Sequence, residues 1–203
     1  MMTRPARFTR RAALALSGGA VLGAALPRPA LAQSAGQARG LVDQAVAEIN
    51  AAIASRQSEA ALLNDFQRIF ERYADTAYLA AYALGVDGRS ASNAQKSAFA
   101  EAFGYYLSRK YGRRFREFIG GEIIVNDTRP KDSFMEVRCT TVLRGEPPFQ
   151  TDFWVSDRPG RPVFFNLIIE GVNMLLSERT EIGAMLDRRG GDLDALIRDL
   201  RAT

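Results

Sequence analysis

The side chains able to do acid–base, nucleophilic or metal chemistry are few in this sequence. Among its 203 residues there is no histidine and one cysteine, Cys139. That excludes a Ser-His-Asp triad, a Cys-His dyad, an imidazole metal ligand, an internal disulfide and a thiolate zinc cage. Carboxylates and phenols remain, and Asp75, Asp152, Tyr78 and Tyr82 are the candidates for an acid–base cleft. Two carboxylates can serve as acid and base when their surroundings split their pKa values. Nothing in the spacing of these residues forces any two together. Cys139 sits on the apolar phase of an alternating run and reads as a small core residue, not a reactive thiol. The run Arg109-Lys110-Tyr111-Gly112-Arg113-Arg114-Phe115-Arg116 holds five bases in eight residues. It reads either as a solvated helix face or as a rim patch for anionic headgroups or an acidic docking surface. In Glu170-Gly171, Gly171 supplies a backbone geometry that a Cβ would oppose, and Glu170 is expected to accept hydrogen bonds from a following helix. No cofactor and no metal is expected.

Charge is distributed unevenly. The first 32 residues carry five arginines (Arg4, Arg7, Arg10, Arg11, Arg28) and no acid. Of the 27 bases, 22 then remain against 23 acids, so the +4 of the whole chain belongs to its leader. The case for nucleic-acid binding from a basic pI disappears with that segment. Met1 to Arg11 is a basic n-region, Ala12 to Leu26 is weakly apolar and short for a membrane span, and Ala30-Leu31-Ala32 is a small-x-small cleavage site. Residues 1–32 are therefore expected to be a cleaved export signal, with mature residues 33–203 forming a single domain in a periplasm. Thr9-Arg10-Arg11 leaves twin-arginine and ordinary secretory export both open.

The elements that must position any site follow from hydrophobic period. Ala38, Leu41, Val42, Ala45, Val46, Ile49 and Ile53 recur at helical spacing. Ser58 caps a second helix bearing Leu62, Leu63, Phe66, Ile69, Phe70 and Tyr73. Asp75 caps a third, which ends at Gly85. Ser92 and Gln95 have capping-box spacing before a long helix with Phe99, Phe103, Leu107 and Tyr111, which Gly112 bends or breaks. Beyond Gly120-Gly121 the period changes to two. A short strand covers Glu122 to Val125. Met135, Val137, Cys139, Thr141 and Leu143 then face inward, with Glu136, Arg138, Thr140 and Arg144 outward. Phe149, Thr151, Phe153 and Val155 form the next inward set, and Val163, Phe165, Leu167 and Ile169 the last. Two helices close the chain, the final one capped by Asp192. The pattern predicts an α+β fold: a twisted antiparallel sheet of about four strands with helices packed on one face.

The order of motifs resembles the MlaC, or toluene-tolerance, family of periplasmic phospholipid-binding proteins, from about Leu62 to Leu200. It is carried by Phe70-Glu71-Arg72-Tyr73-Ala74-Asp75, then Tyr82-Ala83-Leu84-Gly85. Gln95, Phe99, Phe103, Leu107 and Tyr111 follow at the family's Q-x3-F-x3-F-x3-L-x3-Y spacing, and Ile169-Glu170-Gly171-Val172-Asn173 with Arg179 closes the set. The chain departs from the family where a Trp commonly follows Leu-Gly, here Val86-Asp87-Gly88-Arg89. It departs again before the Glu-Gly-Val block, where Pro162 and Phe165-Asn166 replace a Trp and an aromatic-Asp pair. Asn173 stands where Ser is common.

The resemblance implies an NTF2-like cone with extra helices, enclosing an apolar cavity that holds acyl chains with the headgroup outside. The lipid-binding wall it implies here is Val137, Cys139, Thr141, Phe153, Val155, Phe165, Leu167 and Ile169 from the strands, with Leu79, Phe103, Leu107 and Tyr111 from the helices. Each also fits an ordinary core position. The implied partners are phospholipid, an inner-membrane MCE-domain ABC transporter complex and an outer-membrane lipoprotein complex, with transient membrane contact, no nucleic acid and a monomeric state. Carriage of another lipid such as a hopanoid-pathway lipid, a ligand-free periplasmic adaptor and an NTF2-like enzyme are the alternatives.

Overall fold

Local capping chemistry sets most element boundaries in the computed structural model, which describes residues 30–55, 57–112 and 121–203. The basic leader before residue 30, together with Arg113, Arg114, Phe115, Arg116, Phe118 and Ile119, lies outside the described residues. Helix α1 spans Ala30–Ala54 and buries Ala38, Leu41, Val42, Ala45 and Val46 along one stripe. Helix α2 spans Glu59–Tyr73, and its first turn is held by Ser58 Oγ, which accepts from the Ala61 amide at 3.3 Å. Asp75 does the same for α3 (Thr76–Leu84), accepting from the Tyr78 amide at 3.0 Å. Gly85 ends α3 at φ 60°, a conformation that favours glycine, and the Arg179 guanidinium packs where a Cβ would lie, 2.9 Å from Nη2. The Ser92–Gln95 box opens α4 (Asn93–Gly112) reciprocally, with the Gln95 amide donating to Ser92 Oγ at 3.2 Å and the Ser92 amide to Gln95 Oε1 at 3.0 Å. Helices α5 (Met174–Arg188) and α6 (Leu193–Arg201) close the chain, α6 being capped by Asp192.

Between α4 and α5 the strands β1 (Glu122–Lys131), β2 (Phe134–Val142), β3 (Phe149–Ser156), β4 (Val163–Ile169) and β5 (Val172–Asn173) pair antiparallel in sequence order. The sheet has five strands where about four are expected, because the short β5 returns beside β4 before α5 begins. Strand β1 is also longer than its apolar stretch. It runs through Asn126-Asp127-Thr128-Arg129-Pro130 because it is an edge strand, where a proline withholds no ladder bond and polar side chains meet water. A register shift between Val125 and Asp127 absorbs the change.

Helix α1 lies across β1, β2 and β3 and packs on α2, while α4 packs on α2, α3 and α6. The sheet joins the helical layer along β4, which touches α3 and α5. There the Asp75 amide donates to the Phe164 carbonyl at 2.8 Å, and the Leu175 amide donates to Asn166 Oδ1 at 3.1 Å.

Glu170 does not cap α5. It is an exposed residue at φ 50°, followed by Gly171 at φ 81°, and its amide donates to the Gln150 carbonyl at 3.0 Å. Asn173 supplies the cap, accepting from the Leu176 amide at 3.1 Å. The two left-handed residues turn β4 into β5, so the helix starts later than the Glu-Gly pair suggests.

Candidate functional site

The inner face of the sheet, under α1, gathers most of the strand residues expected to form a wall. Val137 and Cys139 are 0% exposed, and Thr141, Phe153 and Val155 are buried beside them. Leu167 and Ile169 continue the wall half-buried on β4. Ile123 and Val125 add to it from β1, since Ile123 pairs with Thr141 and Val125 with Cys139. The roof is α1, whose contact face mixes Leu41, Val42 and Val46 with Ala38, Ala45 and Ala52. Its polar ties to the rest of the domain are peripheral. Arg39 donates to the Val125 carbonyl at 3.1 Å, and Glu48 Oε1 accepts from Arg72 at 2.6 Å and from the Tyr73 hydroxyl at 2.7 Å.

Phe165 does not belong to this wall. A register shift between Trp154 and Val155 makes Val155 pair with Phe164 and Trp154 with Asn166. The bulge reverses the phase of β4, so Phe164 turns inward against Phe70 and Phe153, at ring separations of 5.9 and 5.8 Å. Phe165 packs instead with Phe134 and Trp154 of the outer face, at 5.2 and 6.1 Å, and with Tyr78 at 5.4 Å. Two adjacent phenylalanines made either phase legible in the sequence, and only the pairing decides between them.

The helical candidates divide from the strand set. Leu79 is buried on α3, which meets α4, α5 and β4. Phe103 stacks between Phe99 and Tyr106 on α4, and Leu107 is buried on the same helix, which packs on other helices. Tyr111 is half-buried, and its hydroxyl donates to Glu178 Oε1. These four therefore stand in the helix–helix layer, and the structure does not bring them onto the inner sheet face.

Ionisable groups are employed structurally throughout. Lys110 donates to Glu178 at 2.8 Å and also pairs with Glu181, which in turn accepts from the Tyr106 hydroxyl at 2.8 Å. Burial alone would lower the Lys110 pKa, but bonds to the two glutamates raise it above the ordinary value. Burial also pushes the Tyr106 and Tyr111 hydroxyls up. For Glu181, burial works upward, but bonds from Lys110 and Tyr106 carry its pKa below the ordinary value. Each shift fixes the usual charge state near neutrality, the reverse of what a proton-transfer group requires. Arg109 stacks 3.5 Å above the Tyr105 ring. Within the described part of the basic run, both bases are thus engaged by the protein itself.

Of the four acid–base candidates, Asp75 is a helix cap and Tyr78 packs on Phe165. Tyr82 lies under the Arg179 guanidinium at 5.2 Å. Asp152, on the outward phase of β3, accepts from Gln150 Nε2 at 2.8 and 3.0 Å. Cys139 is a free, buried cysteine: burial pushes its thiol up to about 12, and the Asp152 and Asp43 charges add to the effect.

The alternation gave no sign that Glu136 is buried. It lies on the outer phase of β2 yet is 1% exposed, with Arg129 and Lys131 each 2.6 Å from its carboxylate. Burial alone would raise its pKa, and the two cations bring it below the ordinary value. A cleft of about 280 Å³ opens away from the wall, lined by Asp87, Ser90, Gln95 and Asp192 with Leu84 and Leu193. It is small beside the roughly 300–1,000 Å³ of typical ligand pockets, and its lining is polar. Among the described residues no cluster of His, Cys, Asp and Glu could hold a metal ion, and no helix is long and apolar enough to cross a membrane.

A family model described as MlaC protein matches residues 39–202. The fold is also that of a solved structure, a phospholipid-binding protein from Ralstonia solanacearum in complex with a phospholipid. The TM-score is 0.68 at 20% sequence identity, covering 81% of this chain and 94% of that one. At that identity the likeness speaks for the fold.

Proposed function

The chain belongs to the MlaC family, and from that premise we propose that it is a periplasmic phospholipid carrier. The observation that supports this reading best is the largely apolar wall of β2, β3 and β4 under a helix whose contact face is rich in alanine. Acyl chains would lie against Val137, Cys139, Phe153, Val155, Leu167 and Ile169, between the sheet and α1. Leu79, Phe103, Leu107 and Tyr111 would back the cavity from the helical layer.

The energetics suit a carrier. Two acyl chains hold about 30 CH₂ groups, and at about 0.8 kcal/mol each their burial from water is worth roughly 24 kcal/mol. That exceeds the usual ceiling on non-covalent affinity. The donor, however, is a bilayer that already buries those chains, so transfer into an equally apolar wall is near balance. Partners at each membrane can then set direction. In this reading the basic leader is removed at export. A lipoprotein complex of the outer membrane and an MCE-domain ABC transporter of the inner membrane are the donor and acceptor, and the protein exchanges lipid with each as a monomer. Lys110, Glu178, Glu181, Tyr106 and Tyr111 are spent on one another within the helical layer, which suits a structural part in a carrier.

Native mass spectrometry of protein purified without detergent, with extraction and identification of bound lipid, tests the proposal. A bound phospholipid mass is expected. A clean lipid-free mass that persists after incubation with phospholipid vesicles would overturn the lipid reading and favour an adaptor.

A further inference from the structure

The apolar inner wall is interrupted at one place. Thr141 and Thr151 are 1% and 7% exposed, and their hydroxyl oxygens lie 2.9 Å apart, either able to donate. Two hydroxyls carry two protons, and one mutual bond uses only one of them. Among the described residues neither hydroxyl donates to any other acceptor. One donor is therefore left unspent inside an apolar face, where an unmatched polar group is costly.

The pair also marks a boundary along the wall. On one side Val137 and Cys139 are fully buried and Phe153 nearly so. On the other, Leu143 beyond β2 is still buried, but Thr141 pairs with half-buried Phe149, Thr151 pairs with half-buried Ile169, and Ile169 pairs with Val172, which is 53% exposed, so the wall opens along β3, β4 and β5. A diacyl glycerophospholipid has the matching sequence of chemistry: apolar chains, then ester carbonyls that can only accept hydrogen bonds, then a hydrated headgroup. We propose that the Thr141–Thr151 pair binds an ester carbonyl of such a lipid and so sets its depth. The chains extend toward Val137 and Phe153, and the headgroup emerges past Ile169 and Val172. This inference rests on the carrier reading above and adds to it the ester as the recognised group.

The test compares a diacyl phosphatidylglycerol with its dialkyl-ether analogue of equal chain length, which lacks the carbonyls. The full chain is incubated with mixed vesicles of the two, and bound lipid is quantified by native mass spectrometry. Wild type is expected to take the ester lipid in about five-fold preference, the size of one net hydrogen bond. The double variant Thr141→Val, Thr151→Val keeps the branched shape and removes both hydroxyls, so it is expected to load both lipids equally. Thr141→Ser with Thr151→Ser restores hydroxyls without the methyls and should restore the preference, which a purely packing role would not do. Equal uptake by wild type, or a preference that survives the double valine variant, overturns the proposal and leaves the carrier reading standing. Uptake of neither lipid by folded wild type overturns both.

Discussion

The two faces of the sheet bury their residues by different means. The inner face is held to α1 by contacts with no preferred direction, among alanine, valine, leucine and phenylalanine. The outer face is held by directed ones. Glu136 is clamped by Arg129 and Lys131, Lys131 lies 4.8 Å over the Trp154 ring, and Phe134 and Trp154 are 4.7 Å apart. Methylene contacts with α1 can be exchanged for methylene contacts with an acyl chain at little net change, because dispersion and apolar burial do not specify a partner. Ion pairs and ring geometries offer no such exchange. Under the proposed carrier role, this difference suits the inner face to ligand turnover and the outer face to scaffolding.

The largest effect that could break this comparison is at Phe153, whose ring meets Phe164 on the inner side. Phe153→Ala is expected to lower the stability of lipid-free protein by about 3–5 kcal/mol in urea unfolding. Loaded protein should lose less, since a chain can occupy the void and bound ligand stabilises the folded state. Equal losses with and without lipid would remove the distinction between the faces. Leu167→Arg comes next: a charge on the half-buried rim of the wall should leave the fold intact and reduce copurified lipid by roughly ten-fold. Unchanged lipid content would take Leu167 out of the wall.

On the outer face, Glu136→Gln is expected to cost about 1–2 kcal/mol at pH 7 by weakening charge-assisted bonds to two partly exposed cations. Lipid content should not change. Because the folded pKa lies below the ordinary value of 4.5, the stabilisation is complete above that pH and is lost as pH falls through the folded value. Stability curves of variant and wild type should therefore converge in acid. Divergence that persists at low pH would mean the clamp works by shape alone. The smallest signal is at Cys139. With its thiol near 12, only about one in ten thousand is thiolate at pH 8, so a thiol reagent should modify folded protein far more slowly than unfolded protein. Rapid labelling would show that the inner face opens readily without ligand.

Helix starts were legible because capping is local: Ser58, Asp75, Ser92 with Gln95, and Asp192 each bond an amide three residues on. The inward phases of β2 and β3 were legible for the same reason, since successive side chains must alternate. Phe165 was misplaced because a bulge costs one residue of phase and has no signature in Phe164-Phe165-Asn166 itself. The burial of Glu136 was hidden because its partners come from a neighbouring strand. Phe103, Leu107 and Tyr111 show helical spacing whether the opposing surface is a sheet or another helix, so their stripe could not say which layer they join.

By itself the sequence determined the order of the helices and of the four longer strands, the absence of histidine and of an internal disulfide, and an amphipathic sheet, because composition and nearest-neighbour geometry suffice for these. Which phenylalanine faces the wall, which helix roofs it, and the meeting of two threonine hydroxyls ten residues apart in an apolar face were decided only by strand pairing and packing. Those depend on contacts between segments whose separation along the chain carries no periodic signal.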